Sequence, residues 1–372
     1  MKRIGITGRN GFIGTHLYNT LKLHEEKYEI VEFDRDWFQF TEKLQQFVSQ
    51  CDTIVHLAAL NRHNDPEIIY ETNVSLVKKL IDACEESSEK PHIIMASSTQ
   101  EERDNEYGRS KKKGRELFKA WAKKNGALFT GMVIPNVYGP FGDPYYNSVV
   151  ATFSYQLTHN ETPEIHKDGD LKLIYVAELV QEMLRCVNQE VHNPCLEVGH
   201  TAESKVSDLL SKLNNFKKIY FEKGEIPELA DSFELNLFNT FRSYIDPESH
   251  FPVKLEKHSD DRGAFVEIIR LGVGGQASFS TTVPGITRGN HYHTRKVERF
   301  AVIKGKARIE LRKIGTDQVH EFKLDGNEPA YVDMPIWYTH NITNIGNDEL
   351  YTIFWINEPY DPEDADTYYE EV

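Results

Sequence analysis

The 372-residue chain carries 43 basic and 58 acidic side chains, for a formal net charge of −15, and 4 cysteines. This acidic balance argues against general binding to nucleic acids or anionic membranes, and no apolar run is long enough to span a bilayer. The length exceeds the size at which one hydrophobic core usually stops growing, so two domains are expected. Because the cysteines lack CxxC spacing and the chain begins with a strand rather than a long apolar stretch, we expect a cytoplasmic protein with reduced thiols.

The first half of the chain alternates short apolar strands with amphipathic helices. Strands are predicted at KRIGIT, EIVEF, TIVHLAA, HIIMASS and LFTGMVI, and helices near residues 12–23, 67–86, 107–124 and 144–158. The alternation is typical of an α/β Rossmann fold, a doubly wound parallel sheet with helices on both faces. Two further amphipathic stretches within residues 174–215 are expected to form a small lobe over the substrate.

From about Phe251 the pattern changes to short, regularly spaced strands. AFVEIIR, ERFAVIKG, KARIELRKI and YTIFWIN are separated by Gly, Asn and Asp, which is typical of an all-β antiparallel sandwich or barrel. We therefore predict one domain over residues 1–245 and a second over residues 246–372. The acidic segment after Pro359 is predicted to be a solvated chain end.

A glycine-rich turn follows the first predicted strand and precedes the first predicted helix. Its glycines would permit a tight turn, close approach of backbone N–H groups to a pyrophosphate, and close packing of the helix on the strand. This position after a strand and before a helix predicts a dinucleotide site. The residues assigned to it are Gly8, Arg9, Asn10, Gly11, Phe12, Ile13 and Gly14.

The end of the second strand bears on which nicotinamide cofactor binds. It reads Glu32-Phe33-Asp34-Arg35. A carboxylate there binds the ribose diol of NAD, whereas an arginine favours the 2′-phosphate of NADP, so both readings stay open. Arg9 and Arg35 together would clamp a 2′-phosphate, and NADP is therefore favoured over NAD.

Tyr107 and Lys111 are four residues apart on a predicted helix and so share one face. A lysine ammonium near a tyrosine favours the phenolate, so we expect the pKa of Tyr107 to be lowered toward neutrality. Ser98 and Thr99, at the end of the preceding strand, would bind the substrate oxygen that receives the proton. The set predicts acid–base chemistry at a carbonyl or alcohol.

These motifs together resemble the extended short-chain dehydrogenase/reductase family over residues 1 to about 215. The matching segments are TGRNGFIG, DTIVHLAA, ASST, YGRSK and NVYGP. The resemblance implies a Rossmann domain, an NAD(P) cofactor and a nucleotide-linked sugar substrate, with Tyr107 as acid/base, Lys111 on the nicotinamide ribose, and Thr99 or Ser98 as the hydroxyl partner. Further contacts that it implies are Leu57, Ala58 and Ala59 to the cofactor and Asn147 to the substrate.

The second half contains four residues with metal-ligand spacing. His291 and His293 alternate on a predicted strand and therefore face one side, while Glu298 lies on the next strand and His340 far downstream. Three imidazoles and one carboxylate suit Zn, Ni, Mn or Fe, with open positions for substrate or water. We predict a divalent metal site, with zinc favoured.

The same residues resemble a cupin, the double-stranded β-helix or jelly-roll family. Gly285, the HxH pair, Glu298 and Gly305 match the first cupin motif, and Pro335, His340 and Asn344 match most of the second. The RGxH element and the upstream DRGAFVE segment resemble the sugar-nucleotide 3,5-epimerase branch, which implies that Arg262 and Arg288 contact diphosphate or substrate. That branch generally works without metal, so His291 is a ligand, a base, or both in different states. Tyr292 and Tyr338 are secondary candidates for the second proton carrier, with core packing as the alternative.

An extended reductase followed by such a cupin resembles a family of bifunctional capsule- and O-antigen-biosynthesis enzymes. This resemblance implies C3 epimerisation of UDP-2-acetamido-2,6-dideoxy-4-keto-hexose by the cupin domain. NADPH-dependent reduction at C4 would then give UDP-2-acetamido-2,6-dideoxy-L-talose, toward UDP-N-acetyl-L-fucosamine. A homodimer through residues 251–372 is also expected.

Two alternatives to this bifunctional reading stay open. In the first, a plain NAD(P)-dependent 4-ketoreductase carries the cupin as a metal-stabilised dimerisation module. In the second, the Rossmann half is a redox-sensing binder without turnover, against which the intact Tyr107 and Lys111 argue.

Overall fold

The computed structural model describes residues 1–88, 90–261 and 263–372. The chain forms two compact units, which we call the N-terminal unit (Met1–Val149 with Gly169–Lys205) and the C-terminal unit (Val150–Asp168 with Val206–Val372). The domain boundary after residue 245 stays a prediction. Across the described residues, no helix combines the length and the apolar composition that crossing a bilayer requires.

The N-terminal unit contains the alternating elements that the sequence predicts. Its strands are β1 Lys2–Thr7, β2 Tyr28–Val31, β3 Thr53–His56, β4 His92–Ser98, β5 Phe129–Ile134, β6 Asn136–Tyr138, β7 Asp170–Tyr175, β8 Asn193–Glu197 and β9 Ala202–Lys205. The helices over this part of the chain are α1 Phe12–Lys22, α2 Thr41–Gln50, α3 Pro66–Glu86, α4 Glu106–Asn125, α5 Val149–Thr158 and α6 Val176–Asn188. Short 3-10 helices span Arg35–Gln39 and Thr99–Glu102.

The parallel sheet has the order β2-β1-β3-β4-β5-β8, which confirms the predicted Rossmann-like fold. The strand order reverses at β1, because β2 lies on one side of it and β3 on the other. Loops leaving the carboxyl ends of strands at such a switch point diverge and leave a crevice for a ligand. The loops after β1 and β3 are the two segments that the sequence assigns to a dinucleotide.

Two predicted elements of this part differ from the structure. The helix expected over residues 144–158 begins only at Val149, and Phe141 and Tyr145 upstream have left-handed backbone with φ of 65° and 59°, which a helix cannot contain. Helix α6, expected to belong to a lobe over the substrate, instead buries Leu179, Val180 and Met183 in the core against the parallel sheet. The apolar face of α6 therefore packs in the core of the N-terminal unit.

The C-terminal unit is mainly antiparallel β-structure, as predicted. Its strands are β10 Val253–Lys254, β11 Lys257–Asp260, β12 Gly263–Val266, β13 Gln276–Thr282, β14 Thr287–Tyr292, β15 Glu298–Lys304, β16 Lys306–Lys313, β17 Val319–Asp325, β18 Ala330–Met334, β19 Tyr338–Asn344, β20 Leu350–Ile356 and β21 Tyr368–Tyr369. Helices α7 Val206–Phe216, α8 Ser232–Arg242 and α9 Pro247–His250 precede them. Ten of these strands form two five-stranded sheets, β10-β18-β15-β20-β13 and β17-β16-β19-β14-β21, around a shared apolar core, and β11 pairs with β12 in a separate two-stranded sheet.

A buried ion pair joins the helical segment of this unit to its sheets. Nε and Nη2 of Arg299 contact the Asp333 carboxylate at 2.7 and 2.9 Å, and the Tyr220 hydroxyl donates to the same carboxylate at 2.6 Å. Arg242 on α8 donates to the carbonyl of Met334 at 3.1 Å. Burial opposes ionisation of Asp333, but Arg299 outweighs it and the net pKa is lowered. The carboxylate therefore stays charged and fixes the helices to β15 and β18.

Candidate active sites

The glycine turn after β1 is held by contacts that only glycine permits. Gly8 has φ of 80°, and a Cβ there would lie 2.7 Å from the backbone nitrogen of Ala58. A Cβ on Gly14 would lie 2.2 Å from the carbonyl oxygen of Gly8. Gly11, which has no side chain to cap a helix, occupies the N-cap of α1. The turn and the loop after β3 therefore meet at the start of α1, where helix N-terminal N–H groups favour a phosphate.

Thr7 and His56 tie these two loops together beneath the crevice. The Thr7 carbonyl accepts from the nitrogen of Leu57 at 3.0 Å, and its hydroxyl lies 3.4 Å from the nitrogen of Ala58 and 2.8 Å from Nδ1 of His56. Burial, with a smaller contribution from the charge of Lys111, lowers the pKa of His56 to about 3. The imidazole is therefore neutral near pH 7 and acts as a fixed hydrogen-bonding group.

Arg9 and Glu32, two of the charged groups that the sequence links to the choice of cofactor, are paired with each other. Nη1 of Arg9 lies 2.9 Å from the Glu32 carboxylate, and its guanidinium stacks 3.9 Å from the centre of the Tyr18 ring. Asp34 accepts from the nitrogen of Asp36 and so caps a 3-10 turn, while Arg35 is exposed. Arg9 is thus the predicted 2′-phosphate ligand with a defined position, and Glu32 is its present partner.

Tyr107 and Lys111 lie together on the first turns of α4. Asn105 caps this helix by accepting from the nitrogen of Gly108 at 2.7 Å. Nζ of Lys111 lies 5.7 Å from the centre of the Tyr107 ring and donates to the carbonyl of Ala96 on β4 at 2.8 Å. The predicted pairing of the two side chains is present, and the strand end fixes the ammonium.

The expectation that Lys111 lowers the pKa of Tyr107 is wrong for this structure. Burial is the larger influence and raises the pKa of Tyr107 to about 12, while burial lowers the pKa of Lys111 to about 8. Sequence spacing gave the proximity of the two groups, but it could not give the desolvation of both. Tyr107 is therefore a protonated phenol near neutral pH.

The hydroxyls before α4 have different surroundings. Oγ of Ser98 accepts from the nitrogen of Gln100 at 3.1 Å, whereas Thr99 is exposed. The neighbouring Ser97, which the sequence did not single out, donates to Glu101, and Glu101 in turn pairs with Arg115 at 2.6 Å in a mostly buried contact. The charge of Glu101 also raises the pKa of Lys111 against the larger effect of burial.

Asn73 on α3 is a second residue that the sequence analysis missed. Its amide accepts from the nitrogen of Leu60 at 2.7 Å, donates to the Leu60 carbonyl at 2.9 Å, and donates to Ser110 of α4 at 2.9 Å. It therefore ties the loop after β3 to the helix that carries Tyr107. The signal was available, because Asn73 interrupts the apolar helical stripe formed by Ile69 and Val77.

The four predicted metal ligands converge in the C-terminal unit. One ligand atom from each of His291, His293, Glu298 and His340 lies within 4.8 Å of all the others. Oε2 of Glu298 lies 3.2 Å from Nε2 of His293 and 3.3 Å from Nε2 of His340. These three side chains are buried, and His291 is half-buried. The four predicted ligands therefore lie close together, and His291 is the most solvent-accessible of them.

The register of β14 explains how the histidines meet. His291 is the Cα partner of His340 on β19, and the pairing shifts between Gly289 and His291. Asn290 in this bulge has a left-handed φ of 59°. A bulge changes the direction of the following side chain, so His291 and His293 face inward with ring centres 5.2 Å apart.

The pKa shifts of the four side chains are compatible with the binding of a divalent cation. Burial, together with the neighbouring His340 and His293, lowers the pKa of His291 to about 4. Burial opposes protonation of His293, but its hydrogen bond to Glu298 outweighs this and raises the pKa. Burial likewise opposes ionisation of Glu298, whose histidine neighbours lower its pKa well below the ordinary range. Nε2 of His340 is buried and lies 3.3 Å from the Glu298 carboxylate without the alignment of a hydrogen bond. A buried imidazole nitrogen facing a carboxylate and two further imidazoles fits a divalent metal.

Comparison with known proteins matches both halves of the chain. The family model for the NAD dependent epimerase/dehydratase family matches residues 4–199, and that for the polysaccharide biosynthesis C-terminal domain matches residues 258–368. A Pseudomonas aeruginosa protein named UDP-2-acetamido-2,6-beta-L-arabino-hexul-4-ose reductase is 32% identical over 368 residues, covering 98% of each chain. The crystal structure of the capsular polysaccharide assembling protein CapF from Staphylococcus aureus matches with a TM-score of 0.64 and 34% identity, covering 100% of both chains. The chain belongs to the CapF family.

Membership in the CapF family confirms the predicted order of an extended reductase followed by a cupin. The structure of RMD from Pseudomonas aeruginosa, solved with NADPH, matches with a TM-score of 0.57 at 18% identity over 66% of this chain and 99% of that chain. At that identity the likeness shows the fold alone.

Two of the predicted substrate contacts, Asn147 and Arg288, are exposed in this CapF-family chain. Asn147 is exposed in the segment before α5, and Arg288 is exposed on β14, three residues before His291. Arg262 lies outside the described residues. Tyr292 is buried and stacks on Trp337, and burial raises the pKa of Tyr338 to about 12. Tyr292 therefore has the packing environment that the sequence offered as its alternative.

Proposed function

We propose that this chain converts a UDP-2-acetamido-2,6-dideoxy-4-keto-hexose into UDP-2-acetamido-2,6-dideoxy-L-talose. The cupin domain epimerises C3, and the reductase domain then reduces the C4 ketone with NADPH. The observation that carries this proposal is the presence of two assembled residue sets in one chain. They are the half-buried Tyr107 with the buried Lys111, and the cluster of three histidines and Glu298. The full-length relative named as a hexul-4-ose reductase supports this substrate class.

The first step exchanges a proton at C3. A C4 ketone acidifies the neighbouring C3–H bond, and the resulting enolate is reprotonated on the opposite face. A divalent metal bound by His293, Glu298 and His340 would supply Lewis-acid stabilisation of the enolate oxygen. His291 is the half-buried member of the cluster and has a lowered pKa, so its neutral imidazole is available as a base or as the fourth ligand. We favour zinc, because three imidazoles and one carboxylate form a suitable donor set.

The second step is reduction of the ketone. The nicotinamide, when bound, supplies the hydride, and Tyr107 donates its proton to the C4 oxygen. The raised pKa of Tyr107 favours this direction, because a reductase needs the phenol form as its proton donor. Lys111, which donates to the Ala96 carbonyl, orients the ribose. Its positive charge stabilises the phenolate that forms when Tyr107 loses its proton. Reduction removes the acidity at C3 and so fixes the new stereocentre.

The cofactor is proposed to be NADPH. Arg9 stands in the glycine turn with a fixed guanidinium, and a 2′-phosphate would displace Glu32 as its partner. An arginine fork matches the geometry of a phosphate better than that of a ribose diol. Glu32 competes for the same guanidinium, which makes the preference for NADPH one of degree.

The functional test is proton NMR of the UDP-linked 4-keto sugar in deuterated buffer. The enzyme is added first without and then with NADPH. Deuterium at C3 before NADPH addition, followed by a 4-reduced sugar afterwards, would support both steps. Consumption of NADPH without exchange at C3 would refute the epimerase assignment and leave a monofunctional ketoreductase with a structural cupin. Exchange without reduction would refute the role of Tyr107.

We also propose that the protein is a homodimer through its cupin domain. Strand β13 lies at the end of its sheet order, and Phe279 on it is 71% exposed. An uncovered strand edge with an apolar side chain is suited to pairing with a second copy. Light scattering after size exclusion tests this, and a monomeric mass for both the full chain and Phe279→Asp would contradict it.

A further inference from the structure

The C-terminal segment, which the sequence predicts to be a solvated acidic end, packs against the metal-ligand strands. We call residues 358–371 the C-terminal strap. Within it β21 pairs with β14, so that Tyr369 lies opposite His291 and Tyr368 opposite Tyr292. The nitrogen of Glu370 also donates to the carbonyl of Asn290 at 3.1 Å. The strap therefore adds a strand next to β14, which carries His291 and ends one residue before His293.

Asp366 is the buried carboxylate of the strap, with 4% of its surface exposed. Its Oδ1 accepts from the nitrogen of Thr294 at 3.0 Å and from the Thr294 hydroxyl at 2.6 Å. Its Oδ2 accepts from the nitrogens of Arg295 and Lys296, each at 3.1 Å. These residues form the turn between His293 and Glu298. Hydrogen bonds from several N–H groups to one carboxylate are among the stronger neutral-to-charged contacts in proteins.

The main chain of Asp366 contacts a predicted ligand directly. Its carbonyl oxygen lies 2.5 Å from Nδ1 of His293. A carbonyl can only accept, so Nδ1 carries a proton, and Nε2, which lies 3.2 Å from the Glu298 carboxylate, is the nitrogen that would bind a metal. Asp366 has a left-handed φ of 43°, a conformation that its anchored side chain holds in place.

Further contacts hold the strap on both sides of Asp366. Nζ of Lys296 donates to the Ala365 carbonyl at 2.8 Å, and Arg295 pairs with Asp364 at 2.7 Å and with Glu358 at 3.2 Å. The acidic strap thus lies on the basic pair that follows His293. The strap carboxylate that is withdrawn from solvent is that of Asp366, whereas Asp361, Glu363 and Asp364 are exposed.

We infer that Asp366 is a positioning residue for the metal centre. Its carboxylate holds the turn between the ligands, and its carbonyl selects the tautomer and the orientation of His293. This inference rests on the proposed metal site. Groups that orient a ligating histidine through its second nitrogen tune metal affinity without touching the metal.

The test compares Asp366→Asn with Asp364→Asn in the full chain. Both changes remove one strap carboxylate, but Asp364 makes an ion pair whose acidic side chain is 67% exposed. Affinity for Zn²⁺ is measured by competition with a chromophoric chelator, and the visible spectrum of the Co²⁺-loaded protein reports the ligand geometry. We expect Asp366→Asn to weaken Zn²⁺ binding about 10- to 100-fold and to change the Co²⁺ spectrum. Asp364→Asn is expected to change the affinity less than about twofold.

A third variant guards against simple loss of folding. Thr294→Val removes one of the four donors to the Asp366 carboxylate and is expected to give an intermediate loss of affinity. Unchanged Zn²⁺ affinity and an unchanged Co²⁺ spectrum in both Asp366→Asn and Thr294→Val would overturn the inference while leaving the metal site intact. Equal losses in Asp364→Asn and Asp366→Asn would also overturn it. If the unaltered protein binds neither metal, the proposed metal site fails as well.

Discussion

The two candidate sites are built in different ways. The dinucleotide crevice uses short, contiguous motifs at the ends of parallel strands, and contacts across the sheet hold them, such as Gly8 against Ala58 and Lys111 to Ala96 on β4. The metal cluster joins residues from β14, β15 and β19, and its turn is held by Asp366, which is 73 residues from the histidine that it orients. The comparison teaches that the first site depends on the regular packing of a parallel sheet, whereas the second also depends on a chain end that packs against the turn between its ligands.

The largest expected effect separates the two chemistries. Tyr107→Phe removes the proton donor to the C4 oxygen, so we expect the NADPH-dependent reduction rate to fall about 10²- to 10⁴-fold. Exchange at C3 should persist, because the cupin cluster is unchanged. Absorbance of NADPH and NMR of the sugar measure the two activities. Tyr351→Phe in the other domain is the control, and a parallel loss of both activities in Tyr107→Phe would contradict separate sites.

The reverse experiment removes the carboxylate of the metal cluster. Glu298→Gln takes away the only negative ligand of the four, and the loss of Zn²⁺ affinity should reach at least about 100-fold. C3 exchange should fall with it, while reduction of an already epimerised substrate should continue. Metal content by elemental analysis checks this. Glu321→Gln, on the surface of β17, should retain the metal, and full occupancy in Glu298→Gln would refute the ligand assignment.

The dependence of the C-terminal unit on distant contacts extends to its stability. Asp333→Ala leaves Arg299 buried without its partner, and we expect the free energy of unfolding to fall by about 3–5 kcal/mol. The folded-state pKa of Asp333 is lowered, so its stabilisation is present above the unfolded pKa and is lost as pH falls through the folded pKa. Denaturant titration measures both effects. Glu321→Ala, in a surface pair, should change stability by less than about 0.5 kcal/mol.

The smallest expected effect concerns cofactor choice at the N-terminal site. Arg9→Ala removes the proposed 2′-phosphate ligand and leaves Glu32 free to bind a ribose diol. We expect the ratio of kcat/KM for NADPH to that for NADH to fall roughly tenfold, which corresponds to about 1.4 kcal/mol. Arg35→Ala tests the second predicted arginine in the same assay. An equal decrease in kcat/KM with NADPH and with NADH in Arg9→Ala would show that Arg9 does not bind the 2′-phosphate.

Much of the N-terminal site follows from local sequence. Gly14 is required by backbone contacts with Gly8 and Arg9, a few residues away, and Tyr107 and Lys111 share a face because a helix repeats every 3.6 residues. The prediction failed at the pKa of Tyr107, because desolvation depends on which elements bury the ring. The hydrogen bonds of Asn73 also depend on tertiary structure, because its partners Leu60 and Ser110 lie on a loop and on another helix.

The metal ligands His291, His293, Glu298 and His340 could also be chosen from the sequence, because strand alternation and residue type narrow the candidates. Only the tertiary structure decided that a bulge at Asn290 turns them toward one point and that the acidic end is a strap. Local backbone preferences act over a few residues and can be read in order along the chain. The burial of Tyr107 and the position of Asp366 depend on contacts between segments that are distant in sequence, and only folding determines which of these segments meet.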